Sequence, residues 1–187
     1  MKLRLAPVLF VLALAGCTST QPAVTTAYYD VKGTTALHLD REIRQLGPND
    51  GHAIAAAEIR FVPVSLRKAQ DGRGCHVSEA RIKVVANVTL PRWRNRSGST
   101  EELKDAFDSM ARYARLHEAV HVEIANAAAR EMESELLALP PQKSCETLEK
   151  RADAVVREVR KRHDRAQKAF DAAEQRRLKK LFDQAGS

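Results

Sequence analysis

Two rhythms of apolar residues divide the chain. Before residue 100 the pattern is short and mostly alternating. Tyr28-Tyr29-Asp30-Val31 predicts a short strand. Thr34 or Thr35 can cap a helix through Leu37, Leu39, Ile43 and Leu46, which Gly47-Pro48 ends. From Ala55 to Leu66, Ile59, Phe61 and Pro63 alternate against Glu58, Arg60 and Val62, which predicts a strand. Pro63 has no N–H to donate and marks an edge or a bulge. Residues 70–74 read as a turn, and Cys75–Leu90, rich in Val and Ile, as a second extended segment stopping at Pro91-Arg92-Trp93. After the polar stretch from Asn95 to Thr100 the period lengthens. One helix is predicted from Ser99 or Thr100, with Glu101 and Glu102 in its first turn, to about Leu139, where Pro140-Pro141 ends it. A second runs from about Ser144 to Gln184. The expected class is α+β: a small antiparallel sheet packed on a long antiparallel helical hairpin, one domain over residues 28–187.

The N-terminus follows neither rhythm. Lys2 and Arg4 precede an apolar run, Leu5–Ala15, too short to span a bilayer, that ends in Leu14-Ala15-Gly16-Cys17. This resembles the bacterial lipobox. It implies a signal peptide over 1–16, acylation of Cys17 and a lipid anchor in the membrane. Thr18 in place of an aspartate implies the outer membrane, with the protein facing the periplasm. Thr, Ser, Gln and Pro dominate Thr18–Ala27, so 17–27 is expected to be a tether.

Composition adds little to this. Of 187 residues 44% are hydrophobic and 5% aromatic, with mean hydropathy -0.40. That suits one globular domain and excludes a polytopic membrane protein or a fully disordered chain. Lys+Arg 31 against Asp+Glu 24 gives +7, and removing Lys2 and Arg4 leaves +5. The excess is modest and interleaved, so no nucleic-acid partner is implied. The basic runs Arg160-Lys161-Arg162 and Lys179-Lys180 read as solvated helix face. Cys75 and Cys145, two thiols in an oxidising compartment, are expected to form one disulfide, adding roughly 4 kcal/mol by closing a long loop.

Candidate chemistry lies on the first long helix. Leu103, Phe107, Met110, Ala114, Ile124 and Ala128 define an inward stripe, and positions 117 and 121 fall on it. Both are histidine, in His117-Glu118-Ala119-Val120-His121, the HExxH pattern. Residues four apart lie about 40° apart around a helix and one turn along it, so two imidazoles can face one cation. Glu118 then stands beside them as the candidate catalytic base for a zinc-activated water.

Catalytic zinc takes three protein ligands and keeps one position open. The metzincin continuation is missing, because Ile124 stands at its glycine and Ala127 at its third histidine. Glu131, Glu133 and Glu135 lie on the same helix, about 15 Å away for the farther ones, and cannot reach back. The third ligand is therefore expected on the second long helix. Pairing the helices about Pro141-Gln142 sets residue 119 opposite 164 or 165, which favours His163. Asp171 and Glu174 fit if the hairpin is offset by a turn or two. The predicted metal set is His117, His121 and His163.

Tyr28-Tyr29, Gly47-Pro48, Cys75, Pro91-Arg92-Trp93, the HExxH segment and Cys145 together resemble an uncharacterised bacterial family described as predicted secreted zinc-dependent proteases. The resemblance covers most of the mature chain and implies a zinc peptidase. Members carry Tyr-Asp-x-x-Thr-x-His-Gly near the C-terminus. The matching residues here are Phe170-Asp171-Ala172-Ala173-Glu174-Gln175-Arg176-Arg177. The resemblance thus favours Asp171 as the third ligand, while the hairpin arithmetic favours His163.

Two functions follow. The first is a zinc endopeptidase of the cell envelope acting on a peptide or protein substrate, with residues 82–89 as a strand on which extended substrate pairs. The alternative is a non-catalytic envelope lipoprotein that binds a partner through the same scaffold, suggested by Arg176 standing where the family has histidine. Neither the oligomeric state nor the cleavage preference is legible.

Overall fold

A computed structural model describes residues 21–185. The expected signal peptide (1–16) and the expected lipidation site Cys17 lie outside the described residues. The order is β1 (Ala23–Val31), α1 (Ala36–Leu46), β2 (Ala56–Asp71), β3 (Gly74–Trp93), α2 (Glu101–Leu137) and α3 (Cys145–Ala185). The class is α+β, with two corrections to the expectation. The three-stranded sheet is mixed: in the order β1-β3-β2, β1 pairs with β3 in parallel and β2 pairs with it antiparallel. β1 also takes up Ala23–Ala27, residues expected in the tether. Their alternating Ala, Val and Thr suit a strand once a neighbour supplies the ladder.

That neighbour extends β3 past its expected end. Pro91, Arg92 and Trp93 stay in the strand because they pair with Tyr29, Asp30 and Val31. β3 is therefore central, and residues 82–89 are no edge: β2 covers them on one side and β1 pairs from Val85 onward on the other. The free edges belong to β1 and β2.

Local signals place the ends of the elements. The Thr35 hydroxyl accepts from the His38 N–H and starts α1; Thr100 accepts from Leu103 N–H and starts α2. Gly72-Arg73 close the β2–β3 hairpin. Pro63 lies on an edge strand and beside a register shift, as its missing N–H requires. A second shift follows at Arg67/Lys68, and across this stretch burial on β3 moves from Cys75 and Val77 to Ala80, Ile82, Val84, Ala86, Val88 and Leu90.

The main core lies between these β3 side chains and the Ala114, Val122, Ala125, Ala129, Met132 and Leu136 face of α2, with Leu148 and Val159 of α3 closing it. A smaller cluster joins Val31, Leu39, Ile43, Trp93 and Phe107. The hairpin tip is tied to the helical turn. Cys75 and Gln142 exchange two backbone hydrogen bonds of 2.8 and 2.7 Å, and Cys75 is disulfide-bonded to Cys145. Gly74 has φ +116°, and a Cβ there would lie 2.4 Å from the Gln142 carbonyl oxygen, so only glycine allows this approach. Among the described residues no helix is long and apolar enough to cross a membrane.

Candidate metal centre

α2 presents two faces. Glu118, Val122, Ala125 and Ala129 are buried against the sheet, whereas His117 and His121 are turned toward α3. Glu118, not the histidines, thus lies on the sheet-facing stripe. The imidazoles still converge. His117 Nε2 and His121 Nε2 are 3.1 Å apart, and Asp171 Oδ1 lies 3.3 Å from the first and 3.0 Å from the second. Phe170 packs against both rings, at centroid distances of 4.8 and 5.0 Å.

Among the described residues, His117, His121 and Asp171 form the one group of three potential ligands whose donor atoms lie within 4.8 Å of one another. The predicted third member, His163, is not in it. Side chains of a helix lean toward their own N-terminus. In an antiparallel pair the leans are opposed, so an α2 tip meets an α3 residue farther from the turn than Cα arithmetic gives. His117 accordingly meets Asp171, and His121 meets Gln167. Glu174 is held elsewhere, accepting from Tyr113 Oη at 2.9 Å and from Arg177 at 2.8 and 2.9 Å. These bonds, Arg177 first, lower its pKa to about 2.

His163 contributes one step back. Its Nε2 lies 2.8 Å from Gln167 Nε2, which also donates to the His121 carbonyl oxygen at 3.1 Å. The Gln167 Oε1 contacts His121 Nδ1. Asp164 Oδ1 lies 3.3 Å from His163 Nδ1. One proton arrangement satisfies the whole chain: His163 Nδ1–H donates to Asp164, the two Gln167 amide hydrogens go to His163 and the His121 carbonyl, and His121 Nδ1–H donates to Gln167. In that arrangement His121 Nε2 bears a lone pair 3.0 Å from the Asp171 carboxylate. Two lone pairs at that distance repel. A positive charge, either a proton or a metal ion, makes the contact favourable.

The donor set fits zinc. Tetrahedral ligands about 2.0–2.1 Å from an ion lie roughly 3.3 Å from one another, close to the 3.0–3.3 Å observed. Two imidazoles and a carboxylate are borderline-soft ligands of the kind zinc takes. Gln167 fixes the His121 tautomer that exposes Nε2. Burial, with the nearby His121, also lowers the pKa of His117 and keeps it in the neutral, ligating form.

Glu118 is 5% exposed. Burial raises its pKa, and the backbone N–H of Ala57 on β2 hydrogen-bonds its carboxylate. A buried carboxyl with a raised pKa suits proton transfer. A cavity of about 530 Å³ opens beside it, lined on the β2 side by Ala55, Ala57 and Ile59 and opposite by His117, His163 and Asp171. A second hollow of about 400 Å³ lies across Asp171, with His52, Ile54, Tyr113 and Leu178 in its wall.

The loop over this cleft is fixed. Asn49 and Asp50 both take φ 54°, and Gly51, at φ +78°, lies where a Cβ would be 1.6 Å from the Arg44 carbonyl oxygen. Tyr29 Oη donates to the Ile54 carbonyl at 2.8 Å, and burial raises its pKa to about 12. The sequence reading missed this loop and Gln167. The spacing of 163, 167 and 171, one face of α3, was the signal for Gln167.

Fold and cleft define a class: an α+β protein whose HExxH helix and a neighbouring helix bring two histidines and an aspartate to one point beside a buried glutamate. The chain belongs to a family of bacterial proteins of unknown function, DUF922, whose profile matches residues 26–177 and so includes every residue of the cluster. No curated protein and no solved structure matches it.

Proposed function

We propose that this protein is a zinc-dependent peptidase of the bacterial cell envelope, lipid-anchored at Cys17 on the periplasmic side of the outer membrane. The observation that carries the reading is the convergence of His117 Nε2, His121 Nε2 and Asp171 Oδ1 within 3.3 Å beside the buried Glu118. His117, His121 and Asp171 would hold the metal. A zinc ion there supplies Lewis acidity, which polarises a carbonyl and acidifies water.

The chain's own residues do the rest. Glu118 takes the proton of the attacking water on its carboxylate and returns it to the leaving amine. The Ala57 N–H holds that carboxylate in place through the exchange. The outer edge of β2 is free to add an extended peptide as a fourth strand, main chain to main chain. This role passes from residues 82–89 to β2, because β3 is central.

The non-catalytic alternative rests on Arg176, which stands where the resembled family has histidine. Peptide cleavage separates the two readings. The peptidase predicts turnover that Glu118→Gln abolishes while zinc stays bound. Zinc-loaded wild type that cleaves no peptide in a broad mixture favours the alternative.

A further inference from the structure

Past the ligand cluster the helical hairpin opens. There lies the hollow of about 400 Å³, which shares His117, Glu118 and Asp171 with the first cavity. Three elements wall it. α3 brings Asp171, Glu174 and Leu178, spaced by three and four and so on one face. α2 brings Tyr113 and Ala114, one turn before His117 and Glu118, and the segment leading into β2 brings Ile54 and Ala55.

The charged groups of this wall are already engaged. Both carboxylate oxygens of Glu174 accept from Arg177, and one also accepts from Tyr113 Oη. The Arg177 guanidinium lies 5.7 Å from the Tyr113 ring centroid, so the ring is held at its hydroxyl and over its face. Asp171 faces His117 and His121. Glu118 is 5% exposed and bonded by the Ala57 N–H. Apart from His52 and Gln175, both exposed, the rest of the wall is apolar. Alanines at the two buried positions, 55 and 114, leave room that longer side chains would occupy. Ile54 is exposed yet fixed, because its carbonyl accepts from Tyr29 Oη at 2.8 Å. Walls set in advance receive a side chain at little ordering cost.

We propose that this hollow is the specificity subsite: it takes a bulky apolar side chain on the residue flanking the bond held at the metal centre. The shared walls make it the flanking residue, since a side chain entering the hollow starts from backbone beside His117 and Asp171. A lysine gains nothing there, because Glu174 has no uncommitted oxygen to offer it. The inference rests on the peptidase reading for the bond that the residue flanks, while the apolar preference itself needs no metal.

Fluorescence polarisation on the full chain carrying Glu118→Gln tests it. Three labelled peptides of Gly, Ser, Thr and Gln are used, identical except for a central phenylalanine, serine or lysine. The phenylalanine peptide is expected to bind about tenfold tighter than the other two, and to keep that margin in high salt. Ile54→Ser/Leu178→Ser removes the preference; neither side chain is buried, so the fold is kept. Leu37→Ser/Leu137→Ser, which takes similar bulk from exposed positions outside the cleft, leaves it intact. Equal binding of the three peptides, binding of none, tightest binding of the lysine peptide, or a preference lost equally in both double variants overturns the subsite. A preference that depends on Ile54 and Leu178 in protein that takes up no zinc upholds the subsite and counts against the metal reading. Zinc uptake without the preference does the reverse.

Discussion

The two ends of the helical hairpin are built differently. Near the turn, α2 and α3 are bound by apolar burial and covalent linkage: Leu136 and Leu148 are fully enclosed, Val159 closes the core, and the disulfide fastens the β-hairpin tip to Cys145. Beyond His163, no described residue of α3 is buried. There the helices meet through polar contacts, His117 and His121 with Asp171, His121 with Gln167, Tyr113 with Glu174. The comparison assigns stability to the turn end and chemistry to the open end. Half-exposed polar groups can converge on an ion only where the helices are not sealed together by aliphatic packing.

The largest effect that would break this division is at the turn. Leu136→Ala leaves a cavity in a fully buried position and is expected to cost roughly 2–5 kcal/mol. Cys75→Ala/Cys145→Ala should cost about 4 kcal/mol. Urea unfolding of metal-free protein measures both, and a loss below about 1 kcal/mol in either would contradict the division. At the open end the same measurement should barely move for Gln167→Ala. That variant instead releases His121 from its tautomer, and zinc affinity should fall about 10- to 100-fold by competition with a chelator.

Glu118→Gln gives a smaller, opposite shift. Burial raises the Glu118 pKa, so the folded state binds a proton more readily than the unfolded chain. Above that raised pKa the folded protein bears a desolvated charge, and its stability falls as pH rises from the unfolded value. The neutral amide avoids this. Metal-free Glu118→Gln should therefore be about 1 kcal/mol more stable than wild type at pH 8, with the advantage disappearing toward pH 4.5. An advantage that grows on acidification would contradict the sign. The smallest effect belongs to Lys68→Ala, which removes an exposed pair with Glu149 between the hairpin and α3. It should change stability by less than about 1 kcal/mol.

Much of this architecture was legible because the signals were local. Thr35, Gly47-Pro48, Thr100 and Pro140-Pro141 punctuate the helices, and the i, i+4 spacing of His117 and His121 put both imidazoles on one side of α2. Pairings between distant segments were not legible. The parallel β1–β3 ladder joins residues about sixty apart, and nothing in Ala23–Ala27 distinguishes a strand awaiting a partner from a tether. The offset between α2 and α3 escaped a count of Cα positions because it arises from the lean of side chains. It moved the third candidate ligand from His163 to Asp171. Glu118 shows the same limit: its neighbour Ala57 comes from β2, and no spacing within α2 points there.

Zinc content under dialysis, by elemental analysis, tests the account at its centre, on wild type, Asp171→Ala and His163→Ala side by side. One zinc per chain is expected in wild type, near-complete loss in Asp171→Ala, and retention in His163→Ala with only weakened affinity. Loss in His163→Ala with retention in Asp171→Ala, or no zinc in wild type, would contradict it.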